Sequence, residues 1–575
     1  MKRLLTLLTF IFCAAMVMAA PPSDLGSRLQ RRLEQDSADM FREREMQRSE
    51  RSLNATQNIQ PEQAALNEED GGACLDISEV ALTGVTKLNI KKVESFLPDP
   101  ASCITKTVLQ NTQINIQNAY TAKGYIGARV YFDFTSIAAK KLVIVAAEGT
   151  LEDIVLLNPA GNPRSGFGAK LEEATAFPFT TGRPLQLRDI EQGLEQINKL
   201  SSNNATMEMR PGKTEGGSIV VVKDNTGPRH TLGVSYDNSG SESTGKYRMG
   251  ASLSRDNLLR LNENIYLNAN STVWNDDGKR YSRALAASVS VPFGYWSINN
   301  NFSYSKYLTT TEGAVTSFES EGTSASNAFG VERVVLRGQN YKAALGAQLS
   351  VKQNKNYIEG VYLGTSSRTL AIGSLYMTGT YYSGIGSFFS KLSVNRGLDI
   401  FGVKKDDDKS NGVPRAQFTD ISLYANYSKG FGIFNYTASV DSQYSFDDLY
   451  SSEQMIIGGE SSVRGFKENN GYGEHGVVVR QDVRVPLSAL TGHGQNQYLN
   501  NFIDDIFLSV FADYGYVKPK TYGPSTSLAG AGAKMAYYGK YLNGGVTYAR
   551  AVHRPSHIES EGNVFYFNIA LNILF

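Results

Sequence analysis

Ionic chemistry is concentrated in two short runs near the C-terminus, Ser462-Val463-Arg464-Gly465-Phe466 and Phe511-Ala512-Asp513-Tyr514-Gly515. An arginine and an aspartate can form a two-pronged, charge-assisted pair that fixes geometry as well as charge. From Asp505 to Gly515 the chain alternates with a period of two. Ile506, Leu508, Val510, Ala512 and Tyr514 share one face, and Phe507, Ser509, Phe511 and Asp513 the other. If the first face meets lipid, Asp513 points into an enclosed lumen, where a carboxylate needs a cationic partner. Arg464, on a glycine-containing stretch upstream, is the candidate. Other chemistry is poorly supported. His553 and His557 have i, i+4 spacing, but Arg554-Pro555-Ser556 would break any helix that aligned them on a metal. No Gly-x-Ser-x-Gly elbow or phosphate-binding glycine loop precedes a helix. Lys404-Lys405-Asp406-Asp407-Asp408-Lys409 lacks the spacing of a calcium loop and reads as a solvated surface segment. The expectation is a non-enzyme with no cofactor and no metal.

These two runs lie within a long series of similar segments. From about residue 228 onward, alternating stretches of roughly ten residues are separated by Gly, Asn, Asp and Ser turns. Sixteen begin near His230, Lys246, Glu263, Tyr281, Tyr295, Ala325, Tyr341, Arg368, Gly386, Thr419, Phe431, Gly476, Ile506, Ala529, Tyr541 and Val564. An even number of strands, at about 22 residues per strand with its connection, predicts an all-β transmembrane barrel over 226–575, antiparallel and about sixteen-stranded. In the last segment Phe565, Phe567, Ile569, Leu571, Ile573 and Phe575 form one apolar face suited to lipid. The mean hydropathy of −0.28 fits, because only alternate residues of such strands face lipid. One stretch, about 445–475, carries no sustained strand and is long enough to suggest a functional loop. It holds Arg464, and is expected to join strands eleven and twelve on the extracellular side and enter the lumen. Strand twelve places Arg480, Asp482 and Arg484 on one face, so the lumen there carries both signs of charge.

The N-terminal part has a different composition. Lys2 and Arg3, the apolar run Leu4 to Val17 and the small residues after it read as a secretory signal at 1–19. Residues 20–53 are dense in Arg, Glu and Asp with Leu25, Leu29 and Leu33 at helical spacing. This predicts a helix polar on most sides, which needs ion pairs or a polar enclosure to persist. Residues 54–72 read as a linker. Two small α+β modules follow, over 73–149 and 150–225, each opening on a strand, placing helices in the middle and closing on two strands. With Cys13 in the leader, Cys74 and Cys103 remain as an even pair in an oxidising compartment, which predicts one disulfide. It would close a loop of about 30 residues, worth about 3 kcal/mol in the chain-entropy model. A net charge of +1, about −1 without Lys2 and Arg3, gives no electrostatic case for nucleic acid.

In this order the Val463-Arg464-Gly465-Phe466 and Phe511-x-Asp513-x-Gly515 motifs resemble those of two-partner secretion transporters (TpsB, the haemolysin secretion/activation kind). These belong to the superfamily of outer-membrane barrels with periplasmic POTRA modules. Cys74, Cys103 and Lys123-Gly124-Tyr125 resemble the first module of that family, and Asn203-Asn204-Ala205-Thr206 with Pro211-Gly212 the second. The resemblance covers essentially the whole chain after the leader. It implies export of a large partner protein, a haemolysin, adhesin or toxin, unfolded from the periplasm to the cell surface. The POTRA modules would capture it. Arg464 would sit at the tip of the lumen loop and pair with Asp513, and the N-terminal helix would plug the pore. Phe575 resembles the terminal aromatic signal by which the barrel assembly machinery recognises its clients. The implied partners are the secreted exoprotein, that machinery and outer-membrane lipid, with the transporter a monomer. The alternative is a barrel assembly or insertion factor, which shares the Arg464-type loop but usually carries more POTRA modules and no plug helix. A simple porin would leave residues 73–225 without a role.

Overall fold

A computed structural model describes residues 24–54, 64–66, 73–214, 216–273, 280–312, 317–364, 367–407, 410–467, 470–556, 558 and 562–575. The expected leader, and most of the expected linker, lie outside these residues. Among the described residues no helix is long and apolar enough to cross a membrane, which says nothing about strands.

Sixteen long antiparallel strands close into a barrel. In chain order they are His230–Asp237, Tyr247–Asp256, Asn264–Val273, Tyr281–Phe293, Trp296–Glu312, Ser317–Arg337, Tyr341–Ile358, Arg368–Ser383, Gly386–Leu398, Thr419–Phe431, Phe434–Ser445, His475–Pro486, Ile506–Lys518, Thr526–Tyr538, Leu542–His553 and Asn563–Leu574. A two-residue strand, Val361–Tyr362, adds to the seventh. Closure comes from the last strand pairing with the first, Leu574 opposite Thr231. The alternation that marks these strands is the physical reason they form. Val510, Phe565, Ile569, Leu571 and Ile573 are exposed on the outer wall, whereas Phe511, Asp513, Val564 and Tyr566 are buried inside. Three starting points differ from the sequence reading by three residues or more, the fourteenth strand beginning at Thr526 rather than Ala529. The sixth strand begins at Ser317 rather than Ala325, and its Ser, Glu and Thr residues pair with the fifth strand in continuous register. Beyond lipid neither face must be apolar, so no hydropathy pattern marks that extension. The eleventh begins at Phe434, because Phe431 completes the tenth before the Gly432-Ile433 turn.

Each of the two modules is a three-stranded sheet carrying helices on one side. The first orders its strands Glu79–Thr83, Lys141–Ala147, Arg129–Asp133; the second orders them Thr150–Leu157, Gly217–Asp224, Ala205–Pro211. In the first, helix Lys106–Ala122 starts on Thr105, whose hydroxyl accepts from the Val108 amide at 3.2 Å. It buries Ile116 and Tyr120 against Val130, Ile144 and Ala146. Cys74 and Cys103 are joined in a disulfide at the edge of this module. Two helices were not anticipated individually, Ile90–Glu94 and Phe167–Ala176.

Helix Leu187–Asn198 of the second module fixes how that module meets the barrel. Ile190, Leu194 and Ile197 pack on its own sheet, while Glu191, Gln192, Glu195 and Gln196 on the other side are also buried. The polar side meets the barrel's turns. Gln192 Nε2 donates to the Gly294 carbonyl at 3.0 Å, and the Tyr295 hydroxyl donates to Asp189 at 2.7 Å. Arg337 and Lys342, on strands six and seven, both pair with the fully buried Glu195. Burial pushes the Glu195 carboxyl up, but the two cations outweigh it and hold the group well below the usual carboxylate range.

Candidate functional site

The connection between strands eleven and twelve folds back into the barrel. It is long because it must reach the lumen, and a short antiparallel pair, Met455–Ile457 with Gly471–Gly473, braces its two limbs. Between the limbs lies the Ser462–Phe466 run. Val463 and Phe466 are both 0 % exposed and pack among Ile457, Val478, Val517 and Leu528. The Phe466 carbonyl accepts from the hydroxyl of Tyr566, on strand sixteen, at 2.6 Å. Gly465 has φ +104, and a Cβ there would lie 2.7 Å from the Arg550 carbonyl carbon, so only glycine permits the approach to strand fifteen. On strand fourteen, the backbone at Gly530 approaches so closely that a Cβ would collide with the Arg464 carbonyl oxygen. A bulge between Ala529 and Gly530 marks the same place in the ladder.

Arg464 is saturated with acceptors. Its Nε and Nη2 donate to Asp513 at 2.6 and 2.7 Å, and its Nη1 and Nη2 donate to Asp482 at 2.9 and 3.0 Å. Its backbone amide adds a further bond to Asp513 at 3.0 Å, and the guanidinium lies 3.6 Å over the Phe511 ring. Arg480 stands 3.8 Å from Asp513 and donates to the Ser461 carbonyl at 3.0 Å. Two arginines therefore balance two carboxylates, which is what makes a buried ionic group tolerable. Two parallel forks demand a planar guanidinium; a lysine ammonium could not serve both carboxylates in this geometry.

The structure thus brings Val463, Arg464, Gly465, Phe466, Phe511, Asp513 and Gly515 into one assembly. Val463 packs on Gly515, where any Cβ would meet its Cγ2 at 2.7 Å. Phe575 lies elsewhere, at the seam of strands sixteen and one, where its ring stacks on His230 at 4.9 Å. Sequence alone does not mark Asp482 as a partner of Arg464. Alternation places it on the lumen face, but the register that sets it opposite Phe511, beside Asp513, is a property of the paired strands.

The rest of the lumen is occupied by the helix Asp24–Asn54. At its outer end Arg31 donates to the Gln454 carbonyl of the lumen loop at 3.0 Å, and Arg32 to the Ser239 carbonyl at 2.8 Å. Along its length Asp36 pairs with Arg248 at 2.8 Å and Glu45 with Lys391 at 3.3 Å, while Arg42 pairs with Asp441. Near the POTRA end Arg44 stacks on Tyr266 at 3.6 Å and donates to Asn264 at 3.2 Å. Glu34 is buried, with one oxygen accepting from the Ser324 hydroxyl and the other without a protein partner among the described residues. Close by, Lys352 holds Glu453 of the lumen loop at 2.8 and 3.0 Å. A cavity of about 500 Å³ runs beside the helix, its barrel wall rich in small polar side chains such as Ser288, Ser290, Asn299, Asn301 and Ser374.

Residues 216–537 match the family model described as haemolysin secretion/activation protein ShlB/FhaC/HecB, more than half of the chain. The chain belongs to this family. Residues 75–149 match a ShlB-type POTRA domain, and 150–211 a second POTRA model. The chain is 29% identical to the outer membrane transporter CdiB of Dickeya dadantii (strain 3937), covering 87% of each chain. It is 28% identical to the hemolysin transporter protein ShlB of Serratia marcescens, over 83% of this chain and 84% of that one. The solved structure of CdiB from Escherichia coli superposes with a TM-score of 0.82 at 27% identity, covering 97% of this chain and all of that one. The protein is an outer-membrane transporter of the two-partner secretion type, with its POTRA modules in the periplasm.

Proposed function

We propose that this transporter exports one large exoprotein in an unfolded state, with the POTRA modules capturing it and the lumen of the barrel as its path. The observation that carries the reading is how the lumen helix is held. Among the described residues it makes no backbone-to-backbone hydrogen bond to the barrel, only side-chain contacts, so it can leave without breaking the ladder that closes the wall. Between the charged partners of the helix, such as Arg248, Lys391 and Asp441, the wall it would expose carries short hydroxyl and amide groups. These exchange hydrogen bonds with any polypeptide backbone and reward no particular sequence, as transport of an extended chain requires.

Capture has a physical basis in the edge strand Ala205–Pro211. It pairs on one side only and is largely exposed, so an extended segment can add to it through main-chain bonds. The Arg464 loop spans the wall from strand thirteen to strand sixteen, and in this reading it keeps the lumen lining fixed while cargo passes. Deleting residues 24–54 tests the plug. Single-channel conductance in planar bilayers should rise while secretion persists; an unchanged conductance would contradict this role.

A further inference from the structure

Periplasmic connections in this barrel are short. Strands four and five, eight and nine, and ten and eleven are each joined by two residues. Strands twelve and thirteen are joined instead by 487–505, which folds into helices Ser488–Thr491 and Gln497–Asp504. The second helix begins on Asn496, whose side chain accepts from the Tyr498 amide at 3.0 Å. Projected at 100° per residue, Tyr498, Leu499, Phe502 and Ile503 form one face, and Gln497, Asn500, Asn501 and Asp504 the other. Protein covers that apolar face only in part. Tyr498 is 89% exposed, and Leu490, Leu499 and Phe502 are about half exposed, whereas Ile503 is partly buried.

What the face meets follows from where it sits. Phe502 packs on Tyr537 at 5.1 Å between ring centroids. Tyr537 stands opposite Ile506 and has the parity of Met535, which is exposed on the outer wall; Lys534 and Ala536 have the lumen parity. The helix therefore lies against the outside of the barrel, away from its mouth. Its exposed residues continue the belt of outward-facing aromatics at this rim, which includes Trp296, Tyr341, Tyr381 and Phe434. We infer that helix Gln497–Asp504 lies in the plane of the periplasmic leaflet, with Tyr498, Leu499 and Leu490 inserted among the lipids, as a second contact between barrel and membrane. Aromatic and aliphatic side chains on one face of a short helix at the headgroup boundary are the chemistry of an interfacial anchor. The polar face carries no Lys or Arg, so attachment rests on apolar burial and needs no anionic lipid. Among the described residues its one ion pair is internal, His493 with Asp504 at 2.9 Å. The anchored turn is the one joining strands twelve and thirteen, which carry Asp482 and Asp513.

Nitroxide labels placed at Tyr498→Cys, Leu499→Cys and Asn501→Cys test this in the full-length chain. Cys13→Ser serves as background, since Cys74 and Cys103 are tied to each other. Each variant is reconstituted in phosphatidylethanolamine/phosphatidylglycerol vesicles, and folding is checked by heat-modifiable migration. Power saturation should show oxygen reaching the labels at 498 and 499 more readily than a water-soluble nickel chelate, with the order reversed at 501. Greater nickel access at 498 and 499 would place the helix in water and overturn the proposal. Low access to both reagents would overturn it in favour of a protein cover, the first POTRA module or a second copy. If either labelled variant misfolds, Leu490→Cys provides the same reading.

Discussion

Replacing Arg464 by alanine strands two carboxylates of unequal exposure. The Asp513 side chain is 0 % exposed, and Asp482 is 32% exposed. Removing one partner of a buried ion pair costs about 3–5 kcal/mol, and Arg480, 3.8 Å from Asp513, compensates only part of the charge that stays buried. The share due to Asp482 falls within the 0–1 kcal/mol of partly solvated pairs, at most about a third of the effect. Val463 and Phe466 stay buried in the variant, each contributing about 1.5–3 kcal/mol, so the loop should remain in the lumen but open far more often. At about 1.4 kcal/mol per tenfold, amide exchange in segment 455–473 should accelerate on the order of a hundred- to a thousand-fold, with strand amides unchanged. Hydrogen exchange read by mass spectrometry on protein in detergent measures this directly. The double variant Arg464→Ala/Asp513→Asn should recover at least half of the protection, since it removes the stranded charge. Exchange within about threefold of the parent, or a double variant worse than the single, would refute the electrostatic reasoning.

Other contacts set four further outcomes. Lys352→Met strands the buried Glu453 carboxylate; loosening the loop that Arg31 grips should raise the frequency of spontaneous channel openings in planar bilayers. Glu195→Ala leaves Lys342 without its Glu195 counter-ion and Arg337 with only Glu191, 3.6 Å away, and should weaken docking of the second POTRA module by about 3–5 kcal/mol, read as faster exchange in 187–198. Because Glu195 has its folded pKa depressed, its contribution is complete above the ordinary Glu range of about 4.3 and is lost as pH falls through the lower folded value. Docking should thus be unaffected by this group between about pH 5 and 8; weakening at about pH 6 that disappears in Glu195→Gln would contradict the assignment. Cys103→Ser should lower the stability of the first module by about 2–5 kcal/mol, seen as earlier loss of its exchange protection in urea, without changing the barrel.

Much of this architecture was legible because the barrel's physics writes itself into alternate residues. Leu508 and Val510 set against Ser509 and Asp513, or Ile569 and Leu571 set against Asn568 and Asn572, tell outside from inside without any knowledge of neighbours. What escaped depends on relations between segments. Asp482 could be placed on the lumen face, but its approach to Arg464 needs the register of strands twelve and thirteen together with the path of a loop. The seat of the charged helix is another case. Arg42, Glu45 and Asp36 announce a helix that wants polar company, yet Asp441, Lys391 and Arg248 lie hundreds of residues away. Helix Gln497–Asp504 went unremarked because eight residues between two strongly alternating strands carry little weight beside them. The extension of strand six back to Ser317 has no apolar face to betray it.

Dedicated export of a single partner is tested most directly by comparing the extracellular proteome and the outer-membrane barrel profile of a deletion strain with those of its parent. Loss of one or two large secreted proteins, with the other barrels intact and secretion restored by the gene in trans, is the predicted result. A broad fall across many outer-membrane barrels would contradict it and make the protein an assembly factor.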